Sequence, residues 1–143
     1  MTIAAILRGK GVSVTSLARE ATVAEAVALL AARGIGAVPV IEGDATVVGI
    51  FSERDVIHLL ARDGPAALDR TIGTVMTSPV ETVAPNDAAI GALSLMTRRR
   101  IRHLPVVDAG RLVGFVSIGD IVKYRIDRIE ADATAMRDYI QSA

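Results

Sequence analysis

Apolar positions along the chain fall into short runs of two periods, and the whole set of runs occurs twice. Ala26, Leu29, Arg33, Ile35, Pro39 and Val40 return 66 residues later as Ala92, Leu95, Arg99, Ile101, Pro105 and Val106. Beyond that strand the spacing shortens to 65, so that Gly49, Ser52 and Asp55 return as Gly114, Ser117 and Asp120. Upstream, Ile6 and Val14 match Ile72 and Val80 at the longer spacing. A repeat that covers nearly the whole chain is read before its parts, because it dictates the architecture. The join runs from Asp63 to Thr71, and the boundary falls at 64/65. Residues 1–64 make a first repeat with a short N-terminal helix, and residues 65–143 a second with a long C-terminal helix.

Each copy predicts strand, helix, strand, strand, helix. In the first, Val12 and Val14 alternate with polar residues, as in a half-buried strand. Thr22 and Glu25 form a capping box, and helix formers run to Arg33 with Gly34 as the C-cap. Ala37–Ile41 is a short apolar strand whose Pro39, lacking an N–H, suits an edge or a bulge. Residues 42–45 are turn material, and Thr46–Phe51 is the return strand. Ser52 opens a helix that reaches about Arg62 and closes on Gly64-Pro65. The second copy turns at Asp108-Ala109-Gly110 and opens its helix at Ser117. One such unit leaves an apolar sheet face uncovered, whereas two packed through their sheets close both. The expected fold is therefore α/β (α+β), two pseudo-twofold-related β-α-β-β-α repeats, with two related clefts where the repeats meet.

Composition narrows the chemistry. Of the 143 residues 51% are hydrophobic but only 3% aromatic, so the core is aliphatic. Sixteen basic and 16 acidic side chains cancel, which removes the strongest electrostatic argument for a nucleic-acid or anionic-membrane partner. The absence of cysteine excludes disulfides, thiolate nucleophiles and cysteine metal sites. Apolar runs fall well short of the roughly 18 residues of a membrane span, and no signal-peptide pattern opens the chain. A cytoplasmic domain is expected.

The segments Gly49-Ile-Phe-Ser-Glu-Arg-Asp55 and Gly114-Phe-Val-Ser-Ile-Gly-Asp120 carry the chemical content. Both pass from a buried strand directly into a helix N-terminus. Glycine admits another group close to the backbone. Serine sets a hydroxyl beside free N–H groups at the end of a helix that attracts anions. Aspartate three residues on offers a carboxylate to a vicinal diol, as acidic side chains hold ribose in nucleotide-binding folds. The same Ser-x-x-Asp spacing is also a capping box that needs no ligand.

These segments, with Gly36-Ala-Val-Pro-Val40, Arg102-His-Leu-Pro-Val106 and the stretch Val75-Met-Thr-Ser-Pro-Val80, which looks like the family's entry strand for the second repeat, resemble the CBS domain, and their tandem order resembles a CBS pair, or Bateman module. The likeness extends over all but the termini. It implies a regulatory module that binds AMP, ADP or ATP, or NAD(H) or S-adenosylmethionine, between its repeats and acts through a partner protein in trans. It carries the ribose-binding aspartate to Asp55 and Asp120 and its hydroxyl partner to Ser52 and Ser117. Thr77 and Val80 fit a site wall, where the first repeat has Gly11 and Val14. Adenine would lie near His103 and Leu104. Arg54 could contact phosphate, whereas the matching residue in the second repeat is Gly119, so the two sites are expected to differ in strength.

Other residues are weighed against plainer accounts. The four arginines of Thr97–His103 lie near a helix C-terminus, where a solvated, dipole-compensating cluster is the expected role. The competing role is a phosphate clamp, with Arg102 its foremost candidate. His58 and His103 have no partner spacing for catalysis or metal binding, and no nucleophile–base pair, metal cluster or phosphate-cradling glycine loop is present, so no catalytic activity, metal or obligatory cofactor is expected. Val122, Ile126, Ile129, Ala133, Met136 and Ile140 follow a heptad seam. A helix of roughly 20 residues, about 30 Å long, is more than so small a module needs, so the seam predicts a homodimer contact, to which Ile3, Ile6 and Leu7 could add. The alternative to ligand sensing is a ligand-free assembly scaffold.

Overall fold

Thr22 Oγ1 accepts a hydrogen bond from the Glu25 N–H at 3.1 Å while the Glu25 carboxylate accepts one from the Thr22 N–H at 3.3 Å. That box starts α2 (Val23–Arg33), and Gly34 ends it in the left-handed conformation at φ 61°. The computed structural model describes residues 1–11 and 13–142 and, apart from the leading strands, contains in each repeat the helix, strand, strand, helix order that the repeat predicts. The first repeat continues through β2 (Ala37–Glu42), β3 (Thr46–Ser52) and α3 (Glu53–Asp63). The second comprises α5 (Ala89–Arg99), β4 (His103–Asp108), β5 (Arg111–Ser117) and α6 (Ile118–Ser142). Both hairpins are antiparallel and keep the same register, with Pro39 opposite Ile50 and Pro105 opposite Phe115. A bulge follows each, at Val40/Ile41 and at Val106/Val107.

The leading strands differ from the expectation. Residues 13–16 have no regular structure, and Val12 lies outside the described residues. Pairing begins at β1 (Leu17–Ala18), parallel to Val40 and Ile41. Its counterpart is a single parallel bridge from Val83 to Val106, not a strand over residues 75–80. Residues 13–15 instead run along a cleft wall, while Thr77 pairs with Ile50 on the outer edge of β3. Pro39 stands in the central strand of the β1-β2-β3 sheet, not at an edge. It is tolerated there because β1 reaches only Val40 and Ile41, so the missing N–H would meet no strand.

Two aliphatic cores result, and the chain crosses between them. Val23, Ala26, Leu30, Val38, Val40 and Phe51 of the first repeat bury Ala67, from the 3₁₀ segment Gly64–Asp69, and Ile72, from α4 (Ile72–Val75). Ala92, Met96, Leu104, Val106 and Ile121 of the second bury Ile3 and Ile6 of α1 (Ile3–Lys10). The expectation that Ile3, Ile6 and Leu7 join an external surface is thus overturned. Ile3 is fully buried and Ile6 nearly so, because the Ile3 and Ala4 N–H groups bond to Asp87 and Pro85 carbonyls and dock α1 on the second repeat. The packing therefore crosses the sequence boundary at 64/65 in both directions.

The two glycines of the Gly-x-x-Ser-x-x-Asp segments serve this crossing. A Cβ on Gly49 would stand 2.5 Å from Met76 Sδ, and one on Gly114 would stand 2.7 Å from Leu7 Cδ1. The groups that approach these backbones are thus Met76, just past α4, and the Thr77 carbonyl at Gly49, and Leu7 of α1 at Gly114.

Candidate functional site

The strand-to-helix corners of the two repeats face each other across the seam and leave two clefts. Equivalent hydrogen bonds hold the corners: the Glu53 N–H donates to the Gly36 carbonyl at 2.9 Å, and the Ile118 N–H to the Arg102 carbonyl at 3.0 Å. His103 and Gly36 belong to both clefts. The His103 ring stacks on Phe115 with centroids 5.5 Å apart. Burial, followed by the charges of Lys10 and Arg102, holds its pKa below the ordinary value of 6.5, so the imidazole in the partition is neutral at pH 7.

The first cleft, of about 540 Å³, collects Ser52, Arg54, Asp55, Thr77, Val80, Arg102 and His103. The sequence predicts all seven as site residues. Thr77 reaches this wall because its N–H and carbonyl both bond to Ile50, at 2.9 and 3.1 Å. Asp55 satisfies the capping-box account: its Oδ2 accepts from the Ser52 N–H at 2.9 Å and from Ser52 Oγ at 3.1 Å. The Asp55 N–H in turn donates to Ser52 Oγ at 3.3 Å. These bonds use one carboxylate oxygen, so the cap and an open acceptor coexist on one side chain.

Arginine is the commonest residue in the lining of this cleft. Arg99, Arg100 and Arg102 line it with Arg54, whose Nη1 donates to the Arg100 carbonyl at 3.5 Å. The cluster expected to be a solvated dipole partner does lie at the C-terminus of α5, and three of its members also face the cleft. Arg100 takes the left-handed conformation at φ 54°, at the position where the first repeat has Gly34. Glu81, which the sequence reading passed over, pairs with Arg99 at 3.2 Å and restrains that side chain.

The second cleft, of about 360 Å³, contains Ser117, Asp120 and His103, with Gly11 and Val14 on its wall. Here the basic group is Lys10, at the end of α1. Its Nζ donates to Asp120 Oδ2 at 2.7 Å and to the Phe115 carbonyl at 2.6 Å. Asp120 Oδ2 also accepts from the Ser117 N–H at 2.9 Å, and Ser117 Oγ accepts from the Asp120 N–H at 3.1 Å. Burial opposes ionisation of Asp120, but the Lys10 ammonium and the Ser117 N–H outweigh it and hold the carboxyl below its ordinary value. Lys10 corresponds in the repeat to Met76, so the two clefts draw their cations from unrelated positions. Where the first has Arg100 and Arg102, the second has Gly34 and Gly36. Leu104 turns its side chain into the core and lines neither cleft.

Among the described residues no cluster of His, Cys, Asp or Glu is arranged to hold a metal ion, and no helix is long and apolar enough to cross a membrane. His58 is exposed on α3.

Comparison with known proteins decides the family. The CBS domain model matches twice, over residues 11–62 and 72–127. The chain belongs to the CBS-domain family. Its two copies make it a CBS pair, and its fold is shared with solved CBS proteins. A CBS-domain protein of Agrobacterium tumefaciens, ATU1752, superposes with a TM-score of 0.83 at 38% identity, over 87% of this chain and 99% of that one. The structure of CBSX2 in complex with AMP superposes with a TM-score of 0.75 at 25% identity, over 88% and 96% of the two chains. Among curated relatives, the mitochondrial CBS domain-containing protein CBSX3 of Arabidopsis thaliana is 30% identical over 98% of this chain and 72% of its own length. An uncharacterized 33.4 kDa protein of Thermofilum pendens is 41% identical over 70% of this chain, which spans only 32% of that protein's length. The CBS match ends at residue 127, partway along α6.

Proposed function

We propose that this CBS pair is a regulatory module that binds an adenosine nucleotide in the first cleft, with AMP as the reference ligand, and passes the signal to a partner protein without catalysing a reaction itself. The observation that carries this reading is the first cleft's juxtaposition of Asp55 and Thr77 with four arginines. Asp55 suits a ribose diol, because one oxygen is held by the cap while the other is left to accept. The arginines suit phosphate, whose oxygens match the guanidinium fork. His103, neutral and stacked on Phe115, offers adenine a flat apolar surface beside the strand backbone. A structural neighbour at 25% identity is a complex with AMP, which favours AMP over other anions.

The second cleft binds more weakly in this reading. It is smaller, its wall has glycines where the first has arginines, and Asp120 is already paired with Lys10. ADP, ATP, NAD(H) and S-adenosylmethionine share the adenosine that Asp55 and His103 would read and differ in what they present to the arginines.

Titration calorimetry of the protein with AMP, ATP, NADH and S-adenosylmethionine tests the reading. One strong site is expected, lost in Asp55→Ala and retained in Asp120→Ala. Failure of all four ligands to bind below the millimolar range, or binding indifferent to Asp55→Ala, overturns it.

A further inference from the structure

From Arg125 to Ser142 every residue of α6 is exposed. Ile121 and Tyr124 dock the first turns on the second core, and beyond them the helix leaves the module. The projecting part lies almost wholly past residue 127, outside the stretch that matches the CBS domain. An isolated helix of this length is marginal in water, and most helical stability comes from packing an apolar face. Such a face exists: Ile126, Ile129, Met136 and Ile140 are 49–64% exposed. With Val122 and Ala133 they occupy alternating d and a positions of a heptad repeat, and this stripe is distinct from the face that docks through Ile121 and Tyr124.

We infer that the stripe is the contact for a second copy of this chain, and that the two helices run parallel. Isoleucine at the a positions Ile126 and Ile140 suits a two-stranded coil. The flanking charges fix the direction. Arg125 and Asp132 fall at g, and Lys123, Glu130 and Arg137 at e. In a parallel pair each g residue faces the e residue five positions on in the other helix. Arg125 then meets Glu130, and Asp132 meets Arg137, each twice by symmetry. The antiparallel arrangement that overlaps the whole stripe sets Glu130 against Glu130, Asp132 against Asp132 and Lys123 against Arg137. Charge complementarity therefore selects a parallel homodimer, with both modules at the same end of the coil. This inference does not rest on nucleotide binding.

The test is sedimentation equilibrium of the full chain through the micromolar range, with circular dichroism on each variant. The wild type is expected to be a dimer. Ile129→Glu and Met136→Asp are expected to be monomers with intact modules, since both side chains project away from their own core. Glu130→Arg is expected to weaken association by roughly tenfold or more, through two new like-charge contacts, and added Arg125→Glu to restore it. Because the chain has no cysteine, Ile140→Cys reports direction: mild oxidation crosslinks a parallel dimer through the paired a positions. A wild type that stays monomeric, a dimer indifferent to both Ile129→Glu and Met136→Asp, a charge swap without rescue, or an Ile140→Cys dimer that does not crosslink each overturns the inference.

Discussion

Lys10 Nζ stands 2.7 Å from Asp120 Oδ2, so the N-terminal helix holds the acid of one cleft while the equivalent Asp55 is bonded to its own cap. The pair stabilises the fold only while Asp120 is ionised. Because its folded pKa is depressed, its contribution is full above the ordinary carboxyl value of 3.8 and is lost as pH falls through the folded value. His103, also depressed, adds an earlier loss that begins near 6.5, where the unfolded chain starts to bind a proton that the folded chain resists. Urea unfolding against pH is therefore expected to show two successive losses on acidification. His103→Gln should remove the upper one, and Lys10→Met should shrink the lower one.

Arg100 occupies a left-handed position that a glycine fills in the first repeat. That conformation costs a non-glycine residue on the order of 1 kcal/mol. Arg100→Gly is expected to raise stability by about 0.5–1 kcal/mol, equivalent to about 2–3 °C in melting temperature. The same substitution should weaken AMP binding. A calorimetric scan and a titration on one preparation check both halves.

Asp55 combines two roles that substitution separates. Asp55→Asn keeps an oxygen for the Ser52 N–H and should change stability by less than about 0.5 kcal/mol, whereas Asp55→Ala loses the box and should cost about 1 kcal/mol. Both should weaken AMP binding. Equal affinities for Asp55→Asn and wild type would leave the carboxylate with a structural role only.

Gly49→Ala and Gly114→Ala are expected to destabilise unequally. At Gly49 the new methyl meets both Met76 Sδ and, at 3.0 Å, the Thr77 carbonyl oxygen of the backbone, so the segment that carries Thr77 must shift. At Gly114 it meets only the end of Leu7, which can move. The first substitution should cost about 2–3 kcal/mol and the second about 1 kcal/mol or less. Denaturant titrations should also show that Leu7→Ala partly offsets Gly114→Ala.

The exchanged helices predict that the repeats cannot be separated. Residues 1–64 lack Ala67 and Ile72, and residues 65–143 lack Ile3 and Ile6, each buried in the other half's core. Either fragment alone should lack a cooperative melting transition, and mixing the two should restore one.

Much of this molecule is legible in one sequence because it is written twice. The spacing of Pro39 to Pro105 and of Asp55 to Asp120 places both hairpins and both helix starts without coordinates. The leading strands were not legible, because they contribute only one or two pairings each and their apolar residues serve cleft walls as readily as sheets. Lys10 was missed for a related reason. Its partner Asp120 lies 110 residues away, and nothing local marks a terminal lysine as different from any solvated one. The arginines of residues 98–102 satisfy a helix-dipole account so well that their proximity to Asp55 emerges only from the packing of one repeat on the other. The resemblance to the family marks Thr77 as a wall residue, yet what sets it in the same cleft as Asp55 is its bridge to Ile50, a contact between the repeats that no local spacing marks.

Asp120 lies in the first turn of α6, and that helix continues without a break to Ser142. Its 25 residues make a rod of about 37 Å. A tilt of about 5° at the base carries the far tip about 3 Å, more than half the rise of one helical turn. Asp120 in the smaller cleft and the exposed far end of the rod are thus joined by one unbroken helix, so the displacement from a tilt at the carboxylate would be largest where α6 stands clear of the module.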